Sequence, residues 1–181
     1  MENLKKIKAK PMSDSDIRYY YPKAKIIKYS ELKKYNNIED LLPNIPDFVF
    51  ILYEDSPENG HWTATTRTKE GINYFDSFGK RVDNPLISWD TPEIVKQRLG
   101  ENIHYLSKLF NKTKLPVKYN DIDYQIDSQP IKTCGRHCCF YIGNMLKHNM
   151  SMDKYYRFMK AMRKKYKMTY DEVVSHYIHK I

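Results

Sequence analysis

The stretch Ser128-Gln129-Pro130-Ile131-Lys132-Thr133-Cys134-Gly135-Arg136-His137-Cys138-Cys139-Phe140-Tyr141-Ile142 decides how the rest of the chain is read. A polar loop with a proline runs into a cysteine, a glycine and then an apolar pattern. Cys138, Tyr141, Ile142, Met145 and Leu146 recur at helical spacing after Cys134, which predicts a helix starting at or just before that cysteine. The unpaired N–H groups and dipole of a helix start make it locally positive. A thiol held there loses its proton more readily. A free thiol with a pKa of about 8.5 is mostly protonated at neutral pH. Lowering that value by about two units makes the thiolate, which is the nucleophile, the main form. Gly135 adds no side chain to crowd a substrate carbonyl approaching Cys134. The competing reading is packing, because cysteine is among the most buried residue types. Packing is the reading for Cys138 and Cys139.

Composition sets the frame. The chain has 181 residues, 41% hydrophobic and 14% aromatic, which fits a globular chain with a real core and one domain over residues 1–181. No run approaches the roughly 18 apolar residues of a membrane span, so no membrane partner is expected. Residues 1–12 lack the apolar core of a signal peptide and read as a flexible basic lead-in. Three cysteines without such a signal point to a reducing compartment and free thiols. The net charge of +9 favours a polyanionic neighbour such as nucleic acid, met through a basic surface. A basic surface without a specific partner is the plainer alternative.

The elements follow from local signals. Ser13-Asp14-Ser15-Asp16 offers cap residues for a short helix stopped by Pro22. Residues 24–29 read as a short strand, and 30–42 as one or two helical turns. Phe48 to Tyr53 is a continuous apolar run, as in a strand buried on both faces. Pro57-Glu58-Asn59-Gly60 is turn chemistry, His61 to Thr68 alternates, Lys69-Glu70-Gly71 turns again, and Ile72 to Phe78 is a third strand. Such a meander brings His61 and Asp76 side by side on neighbouring strands. Thr91-Pro92-Glu93 opens a helix whose apolar pattern runs to Phe110 despite Gly100. Leu115 to Asn120 is a strand that Pro116 limits to a start or an edge. Met152 to Lys167 is a basic helix with Tyr155, Phe158, Met159, Met162 and Tyr166 inward, and Thr169-Tyr170-Asp171-Glu172 caps a last helix.

A cysteine protease needs a histidine to take the thiol proton, a group to orient that histidine, and a donor for the oxyanion. The chain offers His61, Asp76, Cys134 and, in the loop before the cysteine, Gln129, whose NH₂ joins the backbone N–H of Cys134 as donor. Gly60-His61-Trp62, Tyr74-Phe75-Asp76-Ser77-Phe78-Gly79, Gln129-Pro130 and Cys134-Gly135-Arg136-His137-Cys138-Cys139-Phe140 stand in that order. They resemble the adenovirus maturation protease (adenain) family, which is related to the SUMO-deconjugating cysteine proteases, and most of all its virophage and polinton-like virus members.

That resemblance covers roughly residues 48–146. It implies an α+β fold of the papain-like, adenain type, with a mixed central sheet flanked by helices. It also implies a viral cysteine endopeptidase cleaving capsid protein precursors during virion maturation, in the virion and the host-cell interior. His61 is then the base, Asp76 its orienting acid, Gln129 the oxyanion donor and Cys134 the nucleophile. Trp62 is part of the substrate groove wall or a core aromatic, and Gly135 lies beside the substrate. The Gln129-to-Cys134 interval is a residue or two shorter than usual for the family, which leaves Gln125 as rival donor. Relatives use DNA as a cofactor or track, which Arg163-Lys164-Lys165 would suit, or an activating peptide. A ubiquitin-like-protein isopeptidase and an acyltransferase with the same triad are the alternative functions.

Other histidines and metal chemistry carry less. Cys134, His137 and Cys138 lack the second ligand pair of a structural zinc site, so no metal is expected. His104, His148, His176 and His179 read as surface or packing residues.

Overall fold

The computed structural model describes residues 2–56, 59–84, 86 and 92–180. In chain order it has α1 (Glu2–Ala9), α2 (Asp14–Tyr20), β1 (Lys25–Lys28), a 3-10 turn (Tyr29–Lys34), α3 (Ile38–Leu41), β2 (Asp47–Ser56), β3 (Asn59–Thr68) and β4 (Gly71–Asp76). These are followed by α4 (Glu93–Leu99), α5 (Tyr105–Lys112), β5 (Val117–Tyr119), α6 (Cys134–His148), α7 (Met152–Tyr166), α8 (Tyr170–Tyr177) and a 3-10 turn (Ile178–Lys180). The class is α+β, as expected. The chain packs as a sheet unit, Ala24–Asp76 with Lys80–Asn120, and a helical unit, Met1–Lys23 with Ser77–Gly79 and Asp121–Ile181. No helix of the described residues is long and apolar enough to cross a membrane.

In the sheet unit the five strands lie in sequence order. β2, β3 and β4 form the expected antiparallel meander, while β1 runs parallel to β2 and β5 parallel to β4. Because side chains alternate along a strand, the register puts Val49, Ile51, Tyr53, His61, Thr63, Thr65, Ile72, Tyr74 and Asp76 on one face. The apolar members of that face pack with Leu32, Ile38, Leu41, Leu106, Leu109 and Phe110 from the helices. Phe50, Leu52, Trp62, Ala64 and Phe75, on the other face, are buried as well, which is why β2 reads as an unbroken apolar run. At Gly60 a Cβ would stand 1.8 Å from the Tyr53 carbonyl oxygen, so no larger residue fits where β3 closes on β2. Pro57 and Glu58 of the expected turn lie outside the described residues.

Two expectations fail at helices. The single helix to Phe110 is two, α4 and α5. Gly100 takes a left-handed conformation (φ 72°) and its N–H returns to the Gln97 carbonyl at 3.1 Å, ending α4. The cap position falls to Pro92, while Thr91 lies outside the described residues. Glu101, just past the break, is buried and accepts the Glu54 N–H at 2.6 Å. Burial pushes its carboxyl up to about 8.

The expected flexible lead-in is helix α1. Lys8 holds it in the helical unit, pairing with Glu172 at 3.2 Å, while its carbonyl accepts the Lys132 N–H at 2.8 Å. The caps at Ser13 and Thr169 form as expected, each a reciprocal box, with Asp16 and Glu172. In α7 Tyr155 and Met159 are buried as expected, whereas Tyr166 is exposed. Helix α6 differs from the one-faced pattern expected. Every residue from Cys134 to Met145 is buried and Leu146 is exposed, so this helix is a core element on all sides for three turns.

Candidate active site

In the sheet unit β3 and β4 bring His61 and Asp76 together. Thr63 lies opposite Asp76 in the register, so His61, two residues before Thr63, is its diagonal neighbour on the same face. The His61 Nε2 and Asp76 Oδ1 atoms are 2.8 Å apart, with 4% and 0% of the two residues exposed. An Asp carboxylate accepts, so Nε2 donates and Nδ1 is the ring nitrogen with the lone pair.

A residue that the sequence did not single out holds the acid in place. Asn120 Oδ1 accepts the Asp76 N–H at 2.7 Å, and its Nδ2 donates to the Asp76 carbonyl at 2.7 Å. It stands there because β5 runs parallel beside β4, pairing Tyr74 with Tyr119 one residue earlier. The only signal in the sequence was an Asn closing a strand candidate. Trp62, one residue after His61, lies on the other face of the sheet with 4% exposed.

The helical unit carries Cys134, Gly135 and both glutamines. Cys134 is the first residue of α6, as expected, and is 8% exposed. Its cap residue Thr133 makes no side-chain cap bond to the helix, because its hydroxyl donates to Asp171 instead. None of the three cysteines is in a disulfide. Burial raises the Cys139 thiol pKa well above the ordinary range, and Cys138 is fully buried, as packing cysteines are. Gly135 is buried too.

The two glutamines differ. Gln129 is exposed and joined to Pro130 by a cis peptide. Gln125 is buried, its Oε1 accepting the Ser77 hydroxyl at 2.8 Å and its Nε2 directed to the Ile131 carbonyl at 3.4 Å.

A second histidine–acid pair lies at the first turn of α6. His137 Nε2 stands 3.1 Å from Asp171 Oδ1, both residues fully buried, and Asp171 also takes the Ile126 N–H at 3.1 Å. Burial opposes ionisation of Asp171, but His137, Thr133 and the Ile126 N–H outweigh it and hold its carboxyl below the usual range. One acid of α8 therefore ties down the loop before Cys134, the cap residue and the first turn of α6. Among the described residues no three His, Cys, Asp or Glu side chains gather as a metal site requires.

No family model matches the chain. A crystal structure of the ASFV pS273R protease is similar at 21% identity with a TM-score of 0.45, over 79% of this chain and 60% of that one. This chain thus spans less than two thirds of that protein's length. The sequence is 30% identical over 177 residues to uncharacterized protein V9 of Sputnik virophage. That alignment takes in 97% of this chain and 98% of its relative, and the protein belongs to the V9 family.

Proposed function

We propose that the protein is a viral cysteine endopeptidase that cleaves capsid protein precursors during virion maturation. The observation that carries this reading is the buried His61–Asp76 pair, hydrogen-bonded through Nε2 at 2.8 Å. A second support is that Cys134 is the first residue of α6.

In this reading His61 Nδ1 takes the Cys134 thiol proton, and the thiolate attacks the substrate's peptide carbonyl carbon. The oxyanion accepts hydrogen bonds from the Cys134 N–H and from a glutamine amide, Gln129 or Gln125. The C–N bond breaks, the leaving amine takes the proton from His61, and a thioester remains on Cys134. Water, deprotonated by His61, hydrolyses that thioester and restores the thiol. Asp76 fixes the tautomer and stabilises the imidazolium. Gly135 leaves room for the substrate chain.

DNA is the proposed accessory partner, met by the exposed Arg163, Lys164 and Lys165 at the end of α7. Beside them a cavity of about 510 Å³ is lined by Lys160, Arg163, Lys164 and Lys167. Binding to duplex DNA should fall steeply across a salt series, and no affinity at low salt removes this partner. The virion and the host-cell interior are the proposed site of action.

The test is incubation with the major and minor capsid proteins of its virus, beside Cys134→Ala, read by intact mass. Discrete fragments with wild type only are expected. No fragments from either, with and without DNA, overturns the endopeptidase reading. Labelling by a ubiquitin-like vinyl sulfone, or acetyl transfer from acetyl-CoA, would then identify an isopeptidase or an acyltransferase.

A further inference from the structure

We propose that the helical unit binds a small oxyanion carried on an apolar body, at a site centred on Arg136. A cavity of about 320 Å³ lies among α1, α2, α6 and the C-terminal turns. Lys6, Lys10, Arg136 and Ser175 contribute its polar lining, and Ile7 and Ile178 an apolar wall.

The state of Arg136 is the first argument. It is 8% exposed, and its Nη1 donates to the Lys10 carbonyl at 2.6 Å and the Lys132 carbonyl at 3.5 Å. Among the described residues its Nε and Nη2 make no hydrogen bond, and no carboxylate lies within ion-pair distance of it. Those two nitrogens form the edge of a guanidinium that grips two oxygens of a carboxylate or phosphate side-on. Neither nitrogen is sealed from solvent, so both are open to a ligand, and an anion there would pair a largely desolvated guanidinium.

The remaining lining agrees. Asp16, the acid in the lining, is already engaged by the Ser13 N–H at 2.8 Å and the Ser13 hydroxyl at 2.8 Å. Lys6 and Lys10 leave the cavity net positive. The Ser175 hydroxyl is buried with no hydrogen-bond partner among the described residues, and a hydroxyl can donate to an anion. The apolar wall has no use for a bare inorganic ion, which is why the ligand needs an apolar body. A phosphate monoester and a carboxylate share this chemistry. The site is independent of the catalytic reading.

Calorimetric titration of the full chain with phenyl phosphate, benzoate, inorganic phosphate and benzyl alcohol tests the proposal. Phenyl phosphate, benzoate or both should bind about tenfold tighter than inorganic phosphate, with no binding of the alcohol. Whichever of the two binds tighter identifies the headgroup. Arg136→Lys should weaken binding about tenfold, since a lysine cannot make the fork. Lys10→Glu, a change at an exposed position, should weaken it several-fold and keeps the test valid if the Arg136 variant fails to fold. No binding of either organic anion at millimolar concentration overturns the proposal. So does binding that Lys10→Glu leaves unchanged, or inorganic phosphate binding as tightly as phenyl phosphate, which would mark an adventitious ion only.

Discussion

At the scale of single residues, three carboxylates separate by environment. Asp76 accepts from His61 Nε2, and on the proposed protease reading Asp76→Ala removes the acceptor that sets the tautomer. Its turnover should fall about 10²- to 10⁴-fold with the circular dichroism spectrum unchanged. Asp171 accepts from Ile126, Thr133 and His137. Asp171→Ala would leave those donors buried and unmet, costing about 3–5 kcal/mol by urea denaturation. Because the folded pKa of Asp171 is lowered, its stabilisation is present above the usual carboxylate pKa and is lost as pH falls through the folded value. Glu101 works in the opposite sense. Its pKa is raised from 4.5 to about 8, so the folded state loses stability as pH rises through that window. Glu101→Gln keeps an acceptor for the Glu54 N–H. It should be neutral at about pH 4.5 and stabilising by on the order of 2 kcal/mol at about pH 8.5 in paired denaturation curves.

At the scale of elements, what was legible in the sequence is what depends on neighbours in the chain. The meander from Phe48 to Asp76 was legible because turn residues and two-residue alternation are local, and with it came the His61–Asp76 pairing. The helix start at Cys134 was legible for the same reason. Asn120 was not, because its grip on Asp76 depends on a parallel strand that arrives after two intervening helices. The burial of α6 on all sides was hidden because His137, Arg136 and Asn144 look polar, and their partners are distant in the chain or in the backbone. At Gly100 an apolar pattern continued across a break that backbone conformation imposes. Gly100→Ala should cost about 1 kcal/mol, since alanine resists a positive φ and its Cβ would meet that of Ser30 at 3.0 Å. Gly60→Ala should cost far more, because the clash there is with backbone. Helix α1 was missed because its hold is tertiary. Deleting residues 2–10 should destabilise the helical unit by on the order of 2 kcal/mol in thermal or urea unfolding, through loss of the Lys8 and Lys10 contacts.

At the scale of the whole molecule, the proposed catalytic groups are divided by unit: His61 and Asp76 belong to the sheet unit, Cys134 and both glutamines to the helical one. The two units also differ in how their chain is gathered. The sheet unit lies wholly within residues 24–120, while the helical unit needs Met1–Lys23 and Ser77–Gly79 together with Asp121–Ile181. Its bond between Lys8 and Glu172 spans 164 positions. On the ribosome, where chains emerge amino end first, every strand of the sheet unit is made before Cys134. Helix α1 must wait for α8, which is made after every strand. The surroundings of the Cys134 thiol are therefore completed only once α8 has been made, long after the strands that carry His61 and Asp76.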